Sequence, residues 1–196
     1  MPNCAFDTQC WKWHLTKLVT GGLLAVERHG RHRYFKLATP GVVSALEALA
    51  AIAEPVPAAS LKEAHAASAV RLARTCYDHL AGLLGVGLTS ALVEQGALVP
   101  GEREYIVTDA GIARFATLGI DVDRIAETAR RTHRPIARAC LDWSERRYHL
   151  AGALGAVLVT RLLELQWVER VPASRALKIT NEGRRVLRRE FGIQLL

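Results

Sequence analysis

The sequence lacks the signatures of the common catalytic and membrane-inserted classes of protein. It contains no GxSxG, HExxH or CxxC motif, and Gly85-Val-Gly87 lacks the third glycine of a dinucleotide-binding loop. The longest apolar run, Leu150 to Thr160, is too short to span a bilayer. The N-terminus has no apolar run followed by a signal-peptide cleavage site. We therefore expect a cytoplasmic protein that is neither an enzyme nor a membrane protein.

Cysteines are few, and acidic residues are outnumbered by basic ones. The 4 cysteines lack the close spacing of a disulfide framework, which favours a reducing compartment. The chain has 26 Lys+Arg against 19 Asp+Glu, a net charge of +7. Such a balance favours an anionic partner, nucleic acid before membrane. With 196 residues, of which 50% are hydrophobic, the chain is long enough for two globular domains.

Two long segments of the chain are near copies of each other. HLAGLLGVGLTSALVEQGALV begins at His79, and HLAGALGAVLVTRLLELQWVE begins at His149. A third, partial copy lies upstream, where Leu18, Gly22 and Leu24 match the spacing of the later copies. Repeats of this kind indicate one structural unit used three times.

Each copy predicts a helix, a β-hairpin and a second helix. The first helix ends at a glycine, two short strands flank a polar tip, and a threonine precedes the next helix as a cap. This order is the back half of a winged helix.

We expect a mainly α protein with short β-hairpin wings (α+β), a winged helix-turn-helix followed by two further winged-helix-like repeats. The expected regions are 1–54 for DNA binding and dimerisation and 60–196 for the C-terminal domain, with repeats at about 60–120 and 134–196. Glu54-Pro-Val-Pro57 marks the boundary.

Only the first hairpin tip is strongly basic. It carries Arg28, His29, Arg31, His32 and Arg33 within six residues, whereas the second tip is net acidic and the third moderately basic. Clustered cations displace the counterions that surround DNA phosphates. We expect these five residues to contact double-stranded DNA.

The helix ahead of that hairpin occupies the position of a recognition helix, whose polar face enters the major groove. Gln9, Lys12, His14 and Lys17 are its candidate contacts with bases or phosphates.

The run His14-Leu-x-x-Leu18-x-x-Gly-Gly22-Leu-Leu24, continued by Arg-x-Gly30-Arg-x-Arg-Tyr34, resembles the ArsR-type (ArsR/SmtB) bacterial transcriptional regulators. The later motif RTCYDHLAG resembles the members with an extended C-terminal part. The resemblance implies a DNA-binding repressor. Family members carry further helices before the recognition helix, so the resemblance also implies that this chain is truncated at its N-terminus.

The helix after the first hairpin presents an apolar face made of Val42, Leu46, Leu49 and Ala53. In ArsR-type repressors the corresponding helix forms much of the dimer interface, which implies a homodimer suited to a palindromic operator. Packing of this face on the chain's own C-terminal domain is the equally weighted alternative.

The second and third copies share the pattern Arg-x-Cys-x-Asp, which places Cys76 and Cys140 at equivalent positions. We expect Cys76 and His79, three apart on a helix, to face the same way and to bind a metal ion with Asp78 and Cys140. The stronger alternative is that the cysteines are core residues and that the Arg and Asp form structural ion pairs. In the third copy, six extra residues precede His149.

The sequence thus predicts a DNA-binding transcriptional regulator, a repressor released by a small effector or metal ion. The alternative function is an interaction module that no longer binds DNA and instead pairs with intact relatives.

Overall fold

The computed structural model describes residues 8–29, 32–54 and 60–194. The expected class is confirmed, since the described part of the chain folds into eight helices and five two-stranded antiparallel sheets. The chain divides into two compact units, residues 1–47 and 48–196. No helix within the described ranges is long and apolar enough to cross a membrane.

The N-terminal unit is built from a helix, a hairpin and most of a second helix. Its elements are α1 (Thr8–Thr20), β1 (Leu24–His29), β2 (His32–Leu37) and α2 (Pro40–Ile52). Gly22, at φ +71°, ends α1 in the left-handed conformation that glycine adopts without strain. The Leu23 N–H then donates to the Leu18 carbonyl at 2.9 Å, as in a helix-terminating Schellman motif. The predicted left-handed glycine cap is confirmed here.

The second repeat starts with a serine that caps its first helix. The Ser60 hydroxyl accepts a hydrogen bond from the Glu63 N–H at 3.2 Å. The elements of this repeat are α3 (Leu61–Leu72), β3 (Arg74–Cys76), β4 (His79–Ala81), α4 (Gly82–Glu94), β5 (Leu98–Pro100), β6 (Tyr105–Val107) and α5 (Asp109–Thr117).

The third repeat copies this order after a basic helix. Its elements are α6 (Val122–Arg131), β7 (Ala139–Leu141), β8 (Tyr148–Leu150), α7 (Gly152–Glu164), β9 (Val168–Arg170), β10 (Leu177–Ile179) and α8 (Asn181–Phe191). The predicted threonine caps are confirmed in both copies. The Thr108 hydroxyl accepts from the Gly111 N–H at 3.0 Å, and the Thr180 hydroxyl accepts from the Gly183 N–H at 2.9 Å.

The helix expected to carry Cys76 and His79 does not form, and that prediction was wrong. The two residues lie on β3 and β4, joined by a tight turn in which Tyr77 has φ +57°. A left-handed residue cannot continue an α-helix. The hairpin makes Cys76 and His79 direct cross-strand partners, and it gives Cys140 and His149 the same relation on β7 and β8.

The two C-terminal repeats exchange these hairpins. Strand β4 packs on α7 of the other repeat, and β8 packs on α4. The Leu150 N–H donates to the buried Thr89 hydroxyl across this junction at 2.8 Å. The shared core is apolar, and α4 and α7 supply five of its buried leucines: Leu84, Leu88, Leu92, Leu154 and Leu162. Because the core is shared, the two repeats form one hydrophobic unit.

Candidate nucleic-acid interface and metal centre

Helix α1 turns its polar residues outward. Lys12, His14 and Lys17 are all exposed, whereas Leu15 and Val19 are half-buried. The Lys17 ammonium lies 5.6 Å from the ring centroid of Trp13, within cation–π range. Three of the four predicted α1 contacts are therefore accessible. Gln9 lies in α1, but its side chain is outside the described part of the chain.

The hairpin β1–β2 places two more cations beside α1. Arg28 and Arg33 are exposed cross-strand partners. Together with Lys12 they line a groove of about 570 Å³ between α1 and the hairpin. Three positive charges thus converge on one surface of the N-terminal unit. Arg31 and the side chains of His29 and His32 fall outside the described residues.

The other two wings are built into the packing of the C-terminal unit. At the second wing, the Tyr105 N–H donates to the Ala137 carbonyl at 2.7 Å. At the third wing, the Thr75 N–H donates to the Arg175 carbonyl at 2.9 Å. Isolated bridges between Glu104 and Arg138, and between Arg74 and Ala176, extend the same contacts. The second wing therefore pairs with the third repeat just before β7, and the third wing pairs with β3 of the second repeat.

The exchanged hairpins bring together a Cys2His2 cluster, defined here as Cys76, His79, Cys140 and His149. One ligand atom from each residue lies within 4.8 Å of the other three. All four residues are buried, with exposures of 1%, 7%, 6% and 0% in that order. The Nε2 atoms of the two histidines are 3.1 Å apart. Two soft and two borderline donors thus converge on one point of the interior.

A carboxylate stands behind each imidazole of the Cys2His2 cluster. The Asp78 carboxylate lies 3.3 Å from Nδ1 of His79, and the Asp142 carboxylate lies 3.6 Å from Nδ1 of His149. Asp78 also forms a 2.6 Å ion pair with Arg134. Both imidazoles therefore direct Nε2, the nitrogen opposite the carboxylate, toward the cluster.

Asp142 is held by a buried ion pair. Its Oδ1 accepts from the Arg74 guanidinium at 2.8 Å, and both side chains are 0% exposed. Its Oδ2 accepts from the Gly82 N–H at 2.7 Å. The Arg74 guanidinium also packs 4.6 Å from the Trp143 ring centroid. The predicted Arg–Asp pairing thus joins the two repeats rather than neighbours within one motif.

The electrostatics of the cluster favour charged side chains. Hydrogen bonding with Cys76 and with the two imidazoles lowers the pKa of the Cys140 thiol far below its usual value, although burial opposes this. Burial lowers the pKa of His79, but its interactions with Asp78 and Cys140 outweigh that effect and leave the pKa raised. Burial would raise the pKa of Asp142, but Arg74 and the Gly82 N–H hold it well below its usual range. A thiolate beside imidazoles is the ionisation state in which cysteine binds metals.

The predicted dimer face of α2 is largely exposed. Leu46 and Leu49 are 48% and 60% exposed, and the adjacent Ile52 is 79% exposed. Ala53 is exposed and Val42 is half-buried. Large aliphatic side chains with this much exposure form an apolar patch on one helix.

Three of the four predicted metal-site residues meet in the Cys2His2 cluster, and one does not. Cys76, His79 and Cys140 are brought together, whereas Asp78 lies behind His79 and beside Arg134. Sequence reasoning missed His149 because the six-residue insertion separates it from the Arg-x-Cys-x-Asp motif. The signal was present in the repeat itself, where His149-Leu-Ala-Gly matches His79-Leu-Ala-Gly.

The comparisons with known proteins place the chain among regulators. No family model matches it, and no solved structure matches it. It is 42% identical over 187 residues to YdfF of Bacillus subtilis (strain 168), named as an uncharacterized HTH-type transcriptional regulator. The match covers 95% of this chain and 81% of that relative. The chain belongs to the family of HTH-type transcriptional regulators.

Proposed function

We propose that the chain is a cytoplasmic DNA-binding repressor of the ArsR type. The observation that carries the proposal is the convergence of Lys12, Arg28 and Arg33 on the groove between α1 and the first hairpin. A winged helix uses the helix for the major groove and the hairpin for the adjacent backbone. Membership of the HTH-type regulators supports the same reading.

The arrangement of the wings supports DNA contact by the N-terminal unit. The second and third wings use their backbone groups within the C-terminal unit, where they pair with residues 137–139 and 73–75. Those hairpins serve packing. The first hairpin carries Arg28 and Arg33 as exposed cross-strand neighbours, so both cations lie on the same face of the hairpin.

The regulator acts as a homodimer that joins through α2. Leu46, Leu49 and Ile52 form the apolar patch on that helix, and a second copy of the same helix is its natural partner in an isologous interface. A two-fold dimer presents two first hairpins to a palindromic operator. A small effector or metal ion releases the repressor.

Binding to DNA is tested by fluorescence anisotropy with the chain's own upstream DNA at low and moderate salt. The wild type is expected to bind saturably and to lose affinity steeply as salt rises. The double variant Arg28→Ala/Arg33→Ala removes two phosphate contacts. The plot of log association constant against log salt concentration should therefore be less steep by about 1.8. Arg103→Ala, in the second wing, is the matched control and should leave the slope unchanged. Absence of wild-type binding at low salt contradicts the proposal.

The second candidate function is an interaction module, and the exposed tryptophans of α1 favour it. Trp11 and Trp13 are 60% and 59% exposed, and large aromatic side chains are typical of protein interfaces. A module of this kind would pair with an intact relative and would bind DNA only within the mixed dimer. Anisotropy of the chain alone separates the two functions, because only the repressor binds without a partner.

A further inference from the structure

We propose that the Cys2His2 cluster is a structural zinc site that clamps the two C-terminal repeats together. The proposal rests on the geometry of four buried side chains and is independent of DNA binding. In tetrahedral zinc sites, Zn–S and Zn–N bonds of about 2.3 and 2.0 Å place the ligand atoms about 3.3 to 3.8 Å apart. The ligand atoms of the cluster lie within 4.8 Å of one another, with the two Nε2 atoms at 3.1 Å.

The orientation of the two histidines matches that of metal ligands. A carboxylate near Nδ1 favours the tautomer with its proton on Nδ1, which leaves a lone pair on Nε2. Asp78 holds this position at 3.3 Å from Nδ1 of His79, whereas Asp142 lies 3.6 Å from Nδ1 of His149, at ion-pair distance but without a hydrogen bond. Two Nε2 lone pairs then face each other at 3.1 Å. Either a shared proton or a metal ion between the two nitrogens removes the repulsion, and the two cysteine thiols within 4.8 Å of the same point favour the metal ion.

The donor set selects zinc over the abundant hard cations. Two thiolates and two imidazoles suit Zn²⁺, whereas Mg²⁺ and Ca²⁺ prefer oxygen ligands. Four protein ligands fill a tetrahedral shell and leave no position for a substrate, which is the mark of a structural site. The buried ligands also oppose rapid exchange of the ion.

The topology explains what the ion does. Each repeat contributes one cross-strand pair, Cys76 with His79 and Cys140 with His149. Because β4 packs on α7 and β8 packs on α4, the ion ties the exchanged hairpins at the centre of the junction. Zinc then cross-links residues that are distant in sequence, and its binding free energy stabilises the folded unit.

The primary test is the metal content of the full chain, purified without added metal and measured by elemental analysis and native mass spectrometry. One zinc ion per chain is expected. Cys76→Ser and Cys140→Ser should each lose the ion, whereas Cys10→Ser should retain it as the matched control. A metal-free wild type, a Cys76–Cys140 disulfide, iron or copper in place of zinc, or zinc retained in the Cys76→Ser/Cys140→Ser double variant would each overturn the proposal.

A second test avoids variants that fail to fold. Wild type reconstituted with Co²⁺ should show the intense visible bands of tetrahedral cobalt together with thiolate-to-cobalt charge transfer. His149→Cys keeps four ligands, so it should still bind one cobalt ion with stronger charge transfer. Weak octahedral bands, or a charge-transfer intensity unchanged by His149→Cys, would contradict the proposed ligand set.

Asp78 orients the His79 imidazole and does not bind the ion itself. A third measurement distinguishes these two roles. Asp78→Asn removes the carboxylate behind His79, and loss of such an outer partner weakens metal affinity by about 10–100-fold. The variant should therefore still bind one zinc ion, released by a competing chelator at lower concentration than in wild type. Unchanged zinc affinity in Asp78→Asn would refute this role.

Discussion

Arg74 and Asp142 illustrate how one charged pair organises the junction between the C-terminal repeats. Both side chains are completely buried, and Asp142 uses Oδ1 for Arg74 and Oδ2 for the Gly82 N–H. Removing one partner of a buried ion pair leaves the other charge uncompensated. The Asp142 carboxylate also stands behind His149, so the pair links the packing of the junction to the Cys2His2 cluster.

We expect Asp142→Asn to lower the free energy of unfolding by about 3–5 kcal/mol. Arg74 and the Gly82 N–H face different oxygens of Asp142, so an amide would turn its own NH2 donor toward one of them. Urea unfolding followed by circular dichroism measures the change. Glu169→Gln is the control. The ion pair of Glu169 with Lys178 is exposed, with the two side chains 54% and 70% accessible, so it should contribute under about 1 kcal/mol to the free energy of unfolding. A loss in Asp142→Asn no larger than the control's would contradict this account.

Residue-level prediction from the sequence succeeded where the pattern was local and failed where the contact was distant. The equivalence of Cys76 and Cys140 was readable from the shared motif, and the structure places both in one cluster. The partnership of Arg74 with Asp142, and of His79 with His149, depends on the exchange of hairpins. No local periodicity encodes which repeat a hairpin packs against, so this part of the candidate site was not predictable.

At the scale of elements, glycines set how closely α4 approaches β4. The Leu80 carbonyl oxygen packs closely against Gly85. A Cβ atom added at Gly85 would lie only 2.6 Å from that oxygen. Gly155 has the same relation to the Leu150 carbonyl, at 2.6 Å. Both repeats therefore use glycine in the helix to admit the backbone of the preceding strand.

We expect Gly85→Ala to destabilise the protein and Gly87→Ala to leave it as stable or more so. The Cβ added by Gly85→Ala would clash with backbone, at a cost of about 1–3 kcal/mol. At position 87 the nearest atom would be 3.7 Å away, on Ile193, so the helix preference of alanine should add up to about 1 kcal/mol. Thermal unfolding of both variants compares them within one helix. Equal shifts in the two variants would refute the close-approach argument.

The elements themselves were predictable to differing degrees. The repeated helix–hairpin–helix was readable because Gly22, Gly96 and the Thr-x-x-Gly caps are local signals. Hairpin β3–β4 was missed because its turn, Tyr77-Asp78, has no glycine, proline or asparagine to mark it, and the equivalent hairpin β7–β8 was missed with it. A single left-handed residue, Tyr77, was enough to replace the predicted helix by a turn.

At the scale of the whole molecule, the proposed dimer determines how many DNA-binding surfaces act together. A dimer joined through α2 carries two copies of the groove lined by Lys12, Arg28 and Arg33. Linking two binding modules raises the overall affinity because the second contact becomes intramolecular. Loss of the dimer should therefore weaken operator binding even though no DNA-contacting residue changes.

We expect Leu46→Glu/Leu49→Glu to convert a dimer into a monomer. A buried leucine contributes about 1.5–3 kcal/mol, so replacing two per protomer with glutamate should raise the dimer dissociation constant more than about a hundredfold. Sedimentation velocity measures the change, and anisotropy should show weaker operator binding by the same variant. Ile106→Glu, at a 60% exposed site on the second wing, is the control and should stay dimeric. A monomeric wild type, or a variant that remains dimeric, would contradict assembly through α2.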